Sequence, residues 1–282
     1  MTLVSIHNYL NSMTFKRILF LILGIFISCQ MADLRNGKFE NGEIPSSLID
    51  KGNSMLNEPL DPALSPEKWK KVDTLEIFLI DYWNSSFVRF FTPVPEPVQA
   101  MKATISLNST NIKVEFTDGK SRGKILGIEN GEGYIIDKEL GKVYSKESDL
   151  KLYLESLRLY ILLPFIAHKF EKIYFMGEMG IGERNYSEIF ATNGSWTPSK
   201  EFDQYKFLIR NDSGSIEFVQ FTYREVFDSY KGVLHYEDYT NLSGRLVPLK
   251  ISIKDGLVDE SFIHQLQIGT IKFFDSNLIP IQ

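Results

Sequence analysis

Ten short β-type runs, separated by turn signals, recur along this chain after residue 73. They include "TLEIFLI" (74–80), "IKVEFT" (112–117), "GKILGIE" (123–129), "GYIID" (133–137) and "KIYFMGEMGI" (172–181). "YSEIFAT" (186–192), "QYKFLIR" (204–210), "SIEFVQFTYREVF" (215–227), "GVLHYEDY" (232–239) and "RLVPLKISIK" (245–254) complete the set. All are rich in β-branched and aromatic residues, which fit a pleated, half-buried surface. Asp118-Gly119 and Asn130-Gly131 suit the positive backbone angles of tight hairpins. Turns are also marked at 211–214, at Ser243-Gly244 and at Asp255-Gly256. Strands joined this closely must pair antiparallel. Ile112, Val114 and Phe116 alternate with polar residues, as do Tyr205, Phe207 and Ile209, so the sheet has one apolar face. About ten strands rarely stay flat; they curl or close.

One strong helical pattern interrupts the strands, "SKESDLKLYLESLRLYILLPFIAHKF" (145–170). Ser148 is a candidate cap, and Leu150, Tyr153 or Leu154, Leu157 and Ile161 keep helical spacing. From Leu159 to Ile166 the segment is apolar all round, which implies burial on several sides. Pro164 must kink or divide it. The segment reads either as a helix packed on a sheet or as a plug over a cavity that the sheet makes. In the second case Leu159, Leu162, Leu163, Pro164, Phe165 and Ile166 are the expected ligand-lining residues. The fold class is mainly β (α+β), a curved antiparallel sheet or unclosed β-barrel with a helical plug on its concave face. A shorter helix is expected within 61–71, with Ser65 as cap, Pro66 in the first turn and Trp69 as core anchor.

The chain before residue 61 has another character. Lys16 and Arg17 precede an apolar run over 18–27, then Ser28 and Cys29, the only cysteine of 282 residues. A basic start, a short apolar core and a small residue before the cut make a secretory signal. A membrane-spanning helix needs roughly 20 apolar residues, about twice this run. Residues 1–28 therefore read as a lipoprotein signal peptide, with Met13 offering a more compact start. Phe26, Ile27, Ser28 and Cys29 resemble a bacterial lipobox, with Phe26 in place of the usual Leu. That resemblance makes Cys29 a lipidation site, carrying the two or three acyl chains that a stable anchor requires. Residues 29–60, polar and punctuated by Gly and Asn, read as a lipidated tether, and 61–282 as a single β domain.

Motifs of chemistry are scarce. A lone cysteine forms no internal disulfide. The chain has 31 basic against 36 acidic residues, and loss of Lys16 and Arg17 with the signal makes it more acidic. That balance disfavours nucleic acid as a partner. There is no Gly-rich phosphate loop with its lysine, no paired His-Glu-x-x-His and no nucleophile elbow, so no cofactor and no enzyme activity are expected. His168, His235 and His264 lie far apart in sequence and make a metal site only if the fold gathers them. "HYED" (235–238) puts His235 and Glu237 on one face of a strand, a base with a carboxylate or simply a solvated face. "MGEMGIGER" (176–184) holds Glu178 and Glu183, a carboxylate pair or a bulged strand end. Arg224 and Glu225 read as an ion pair, buried or on the surface. "TPVPEPV" (92–98) is a stiff extended loop whose Val94 and Val98 suit either a plain connection or a membrane-touching tip.

The order of elements carries a resemblance. An early helix, a strand meander, a mid-chain helical insertion and long closing hairpins look like the bacterial lipoprotein-sorting factors, the LolA/LolB-like family. "YKFLIRNDSGSIEFVQFTYREVFDSYKGVLHYEDYTNLSGRLVPLKISI" (205–253) is similar in layout to that family's tail, and the likeness covers roughly 65–275. It implies an unclosed barrel whose apolar cavity, lidded by helices, holds acyl chains. It also implies a bacterial cell-envelope protein, expected at the outer membrane. Its partners would be a membrane, through the acyl anchor, and a lipid or lipoprotein acyl chain. The alternative is a lipoprotein with a filled core that binds a protein partner.

Overall fold

A computed structural model describes residues 31–35, 37, 43–137, 141–146 and 148–281. Cys29 and the signal segment lie outside the described residues. One antiparallel sheet of fourteen strands carries the fold. The first half is a meander: β1 (Thr74–Trp83), β2 (Val98–Ser106), β3 (Ile112–Phe116), β4 (Ile125–Glu129), β5 (Glu132–Asp137) and β6 (Gly141–Tyr144). The second half is β7 (Lys172–Ile181), β8 (Arg184–Thr192), β9 (Gln204–Arg210), β10 (Ile216–Thr222), β11 (Lys231–Leu242), β12 (Arg245–Lys254), β13 (His264–Phe274) and the short β14 (Pro280–Ile281). The spatial order runs β6-β5-β4-β3-β2-β1-β13-β12-β11-β10-β9-β8-β7, with β14 on β13. Two meanders are thus joined where β13 pairs with β1, and β6 and β7 remain as the two edges of an unclosed barrel.

This order dictates the place of the long helix. Among the described residues the α-helices are α1 (Ser46–Asn57), α2 (Ser86–Arg89) and α3 (Ser148–Ile166). α3 connects one edge of the sheet, β6, to the opposite edge, β7. A connection between opposite edges must cross a face of the sheet, and the inner face is the apolar one. Leu150, Leu154, Leu157, Ile161, Leu162 and Leu163 of α3 share the main core with Ile77, Val114, Leu126, Phe207 and Ile251 of the sheet. The expected curved, unclosed antiparallel sheet with a helix on its concave face is what the chain forms.

Two hairpins follow the dipeptides read from the sequence. Asn130 and Gly131 (φ 53° and 82°) link β4 to β5, and Ser243 and Gly244 (φ 52° and 76°) link β11 to β12. Both residues take positive φ, which suits the right-handed twist of the flanking strands. Other boundaries differ. The 61–71 helix is two 3-10 turns, Pro62–Leu64 and Pro66–Trp69, though Ser65 still caps the second by accepting from the Glu67 amide (3.3 Å) and Trp69 is buried. The 215–227 run ends as a strand at Thr222. β2, β6, β13 and β14 lie outside the ten runs that the sequence pattern marks. The inward positions of β2 are Gln99, Met101, Ala103 and Ile105, all fully buried, two of them residue types with weak strand preference.

The N-terminal tether is the main correction. Residues 46–57 form α1, which lies along the edge strand β7. Leu56 joins the main core, while Ile49 packs with Leu34, Tyr174, Met176 and Phe190 on the other face of the sheet. α1 therefore straddles the edge. Gly52 permits this: a Cβ there would sit 2.8 Å from the backbone of Tyr174 and Phe175. An uncovered edge strand invites pairing with another chain, and a helix laid over it removes that option.

Candidate functional site

The inner face and the helix across it form the candidate site. Of the residues expected to line a cavity, Leu162 and Leu163 are fully enclosed and Phe165 is buried, whereas Leu159, Pro164 and Ile166 are half-buried. Phe165 stacks on Trp69, with ring centroids 3.9 Å apart, and Trp69 meets Phe273 edge-on at 5.7 Å. All three rings belong to the main core. Pro164 and Phe165 border a cleft shared with Met55 and Leu56 of α1 and with Ile209 and Ile216 of the sheet. Its volume is about 30 Å³, the room of roughly one water molecule. The other four expected residues are packed into the core and do not border it.

Pro164 leaves a backbone vacancy that the sheet fills. A proline at that position has no N–H to give the carbonyl four residues earlier, that of Tyr160. The Tyr236 hydroxyl of β11 donates to that buried oxygen instead, at 2.8 Å. The helix consequently runs on through Ile166 before tightening into the 3-10 turn Ala167–Lys169, and is not divided at Pro164.

The polar contacts that hold α3 were not read from the sequence. Asp81 of β1 is completely buried. One oxygen meets His264 Nδ1 of β13 at 2.9 Å, and the other accepts from the Tyr153 hydroxyl of α3 at 3.3 Å. Trp83 stacks flat on His264, 4.1 Å away and 5° from parallel. Burial, and next the Asp81 carboxylate, push the Tyr153 hydroxyl well above the ordinary tyrosine pKa. The signal was present in "TLEIFLIDYW": Leu75, Ile77, Leu79, Asp81 and Trp83 share the inward phase, so a carboxylate falls on the core side. A buried carboxylate demands partners. Toward the middle of α3, Ser156 and Tyr223 share a hydrogen bond, and Arg158 donates to the Ser106 carbonyl at 3.3 Å.

The other candidate groups do not assemble into a site. His264 is in the Asp81 cluster, His168 is half-buried at the end of α3, and His235 stacks on Phe218 on the other face of the sheet. Among the described residues no group of three His, Cys, Asp or Glu is placed to hold a metal ion. His235 Nδ1 lies 3.5 Å from Glu237, as the strand period required, but its Nε2 also faces Glu217 at 3.7 Å. Glu217 accepts from Arg184 (2.6 Å) and Tyr186 (3.0 Å). Burial alone would raise the Glu217 pKa; His235, Tyr186, Arg184 and Arg210 together outweigh it and hold the carboxyl below the usual range. Glu178 and Glu183 are exposed at a bulged hairpin. Arg224 is buried, and it donates to the backbone carbonyls of Ala32 and Asp228 instead of pairing with Glu225. Val94 is buried in the core, so the 92–98 loop does not present it to a surface.

Similar architectures occur among solved structures. A DUF1329 family protein from Desulfovibrio piger matches with a TM-score of 0.53 at 8% identity, covering 80% of this chain and 93% of that one. A domain described as an outer membrane lipoprotein-sorting protein, from Vibrio parahaemolyticus, matches with a TM-score of 0.50 at 9% identity, covering 81% and 96%. A LolA superfamily protein from Nitrosomonas europaea gives a TM-score of 0.46 at 12% identity, covering 82% and 93%. No family model and no curated protein matches the sequence. Identities this low speak to the fold alone. The chain has a LolA-like fold.

Proposed function

We propose that this protein is a non-catalytic lipoprotein of the bacterial cell envelope that takes an apolar ligand, a lipid or an acyl chain, between its sheet and α3. Cys29 carries the acyl anchor, and the outer membrane is the expected site of attachment. One observation carries the ligand reading: the all-apolar segment 159–166 lies inside a sheet whose edges β6 and β7 are not joined. Withdrawal of that segment through the unclosed side would leave an apolar trough of sheet residues, and an acyl chain offers about 0.8 kcal/mol for each methylene it buries there. Leu159, Leu162, Leu163, Pro164, Phe165 and Ile166 would then face the ligand, and the cleft beside Pro164 and Phe165 is where entry would begin.

A second reading is supported by the cleft's volume of about 30 Å³, which holds no acyl chain as it stands. There the core is permanently filled and the protein binds a protein partner on its outside. Native mass and organic extraction decide between the two. Protein secreted in bacteria and purified without detergent should carry one lipid class in stoichiometric amount, and Phe165→Asp should lose uptake of a fluorescent fatty acid while the circular dichroism of the sheet persists. A bare mass with no uptake of added lipid establishes the filled core.

A further inference from the structure

The end of the sheet at which the N-terminal segment is fastened also carries the exposed Phe87 and Phe90. Strand pairing defines that end: Trp83 faces His264, His264 faces Ile253, Lys254 faces Val233, Lys231 faces Thr222, and Gln204 faces Thr192. Residues 31–35 are fixed there. The Ala32 amide donates to the Asp228 carbonyl (2.8 Å), Arg224 to the Ala32 carbonyl, and the Leu34 amide to Gln204 Oε1 (2.9 Å). Only Gln30 separates Cys29 from Met31, a covalent reach of about 7 Å. An acyl anchor on Cys29 therefore holds this end of the molecule at the lipid surface and leaves no slack for the body to stand clear.

The loops at that end suit such a surface. Loop 84–97 contains α2, with Phe87 57% and Phe90 59% exposed. It is joined to loop 255–263, because the Asn84 and Ser85 amides both donate to the Ile263 carbonyl at 3.0 Å. There Val258 is 80% exposed. Phe91 braces the loop, its ring 5.3 Å from those of both Phe87 and Phe90. Arg89 closes it by donating to the Pro95 carbonyl at 2.7 Å. Exposed Lys120 and Arg122 of the neighbouring loop 117–124 suit anionic headgroups, while Asp255, Asp259 and Glu260 beside Val258 do not, so apolar insertion rather than net charge carries the contact. Leu278 and Ile279 are also exposed, but at the opposite end of β13 from the anchor.

We propose that Phe87, Phe90 and Val258 form a lipid-docking surface that inserts into the same leaflet as the Cys29 acyl chains, so that the barrel stands end-on against the membrane. The proposal rests on lipidation of Cys29, and the test separates the two. A thioether-linked Cys29 leaves a new cysteine as the sole free thiol. Full-length Phe87→Cys, Val258→Cys and Leu278→Cys proteins, each labelled with an environment-sensitive nitrobenzoxadiazole probe, are reconstituted in phosphatidylethanolamine–phosphatidylglycerol vesicles with or without brominated chains. The mass of the Cys29 peptide reports the anchor independently. Blue-shifted, bromine-quenched emission at 87 and 258 but not at 278 is the expected result. Quenching at 278 alone, or at no position in protein whose Cys29 is acylated, overturns the docking surface and leaves the anchor standing. If the peptide mass shows Cys29 unmodified, the anchor is overturned; the same variants are then made with Cys29→Ser, so that the new cysteine is again the sole thiol, and quenching at 87 and 258 in those proteins supports the surface.

Discussion

At the residue scale the barrel depends on a few polar groups that the apolar interior obliges to pair. The Tyr160 carbonyl is one, because Pro164 cannot serve it and Tyr236 does. Tyr236→Phe should cost about 1–2 kcal/mol, the penalty of a buried unsatisfied carbonyl. In a Pro164→Ala background the restored backbone N–H can take the Tyr236 hydroxyl's place, so the same change should cost clearly less. Urea midpoints of the four proteins in this cycle check it; equal losses in both backgrounds refute the coupling. Asp81 is the second such group. Asp81→Ala strands the Tyr153 hydroxyl and His264 Nδ1 in the core, and the loss should be about 3 kcal/mol. A melting temperature unchanged from the parent would mean that this cluster does not hold α3 to the sheet.

At the element scale the two edges of the sheet are treated differently. β6 is short and exposed, and Lys142 on it pairs with Glu129 of β4, a charged edge that resists strand addition. β7 is long and is covered by α1, whose close approach requires Gly52. A helix interior ordinarily gains about 1 kcal/mol when Gly becomes Ala. Here Gly52→Ala should destabilise instead, and Gly52→Val by about 1–3 kcal/mol, since the added atoms meet strand backbone that cannot yield. The released edge should also make the Val protein associate at high concentration. Sedimentation together with protease cutting near residue 58 measures both effects, and a monomeric, uncut Gly52→Val protein would show that α1 does not guard the edge.

At the scale of the whole molecule, stability should fall away at both ends of the pH range. Tyr153, Tyr160 and Tyr236 sit in the core, and burial drives each hydroxyl well above its ordinary pKa of 10.0. The neutral forms are those the fold accepts, so their contribution is complete below pH 10.0 and is lost as pH rises through and beyond it. Glu217 and Asp33 move the other way. For Asp33 burial raises the pKa, but the bonds and charge of Arg35 outweigh it and leave it below 3.8. Depressed carboxylates contribute stability above their unfolded values, 4.5 for Glu217, and lose it as pH falls through the folded ones. Urea unfolding followed from acid to alkali should give a plateau with falling limbs. Glu217→Gln should flatten the acid limb and leave the alkaline one in place. Equal acid limbs in parent and variant would remove Glu217 from this account.

Much of this architecture is written in local pattern. Period-two alternation and Asn130-Gly131 or Ser243-Gly244 turns are decided by neighbours in the chain, and so is the helical period over 148–166. Antiparallel pairing and a helix on the apolar face follow from them without reference to anything distant. Whatever rests on contacts between remote segments could not be read in this way. β13 is inserted beside β1 across nearly 200 residues of chain, and it alone brings His264 to Asp81. The polar-looking segment 46–57 becomes α1 only because an uncovered edge lies within reach; in isolation its scattered apolar residues have nothing to pack on. Pro164 signals a kink or a division; the helix is not divided, and the carbonyl that Pro164 leaves unserved is bonded by Tyr236 from β11. The sequence by itself determined ten of the fourteen strands and, where alternation is plain as in β3 and β9, which face is apolar. Only the tertiary structure decided that β13 joins the two meanders at β1 and that α1 covers the β7 edge, because strand order and edge protection are settled by long-range pairing that local propensity does not encode.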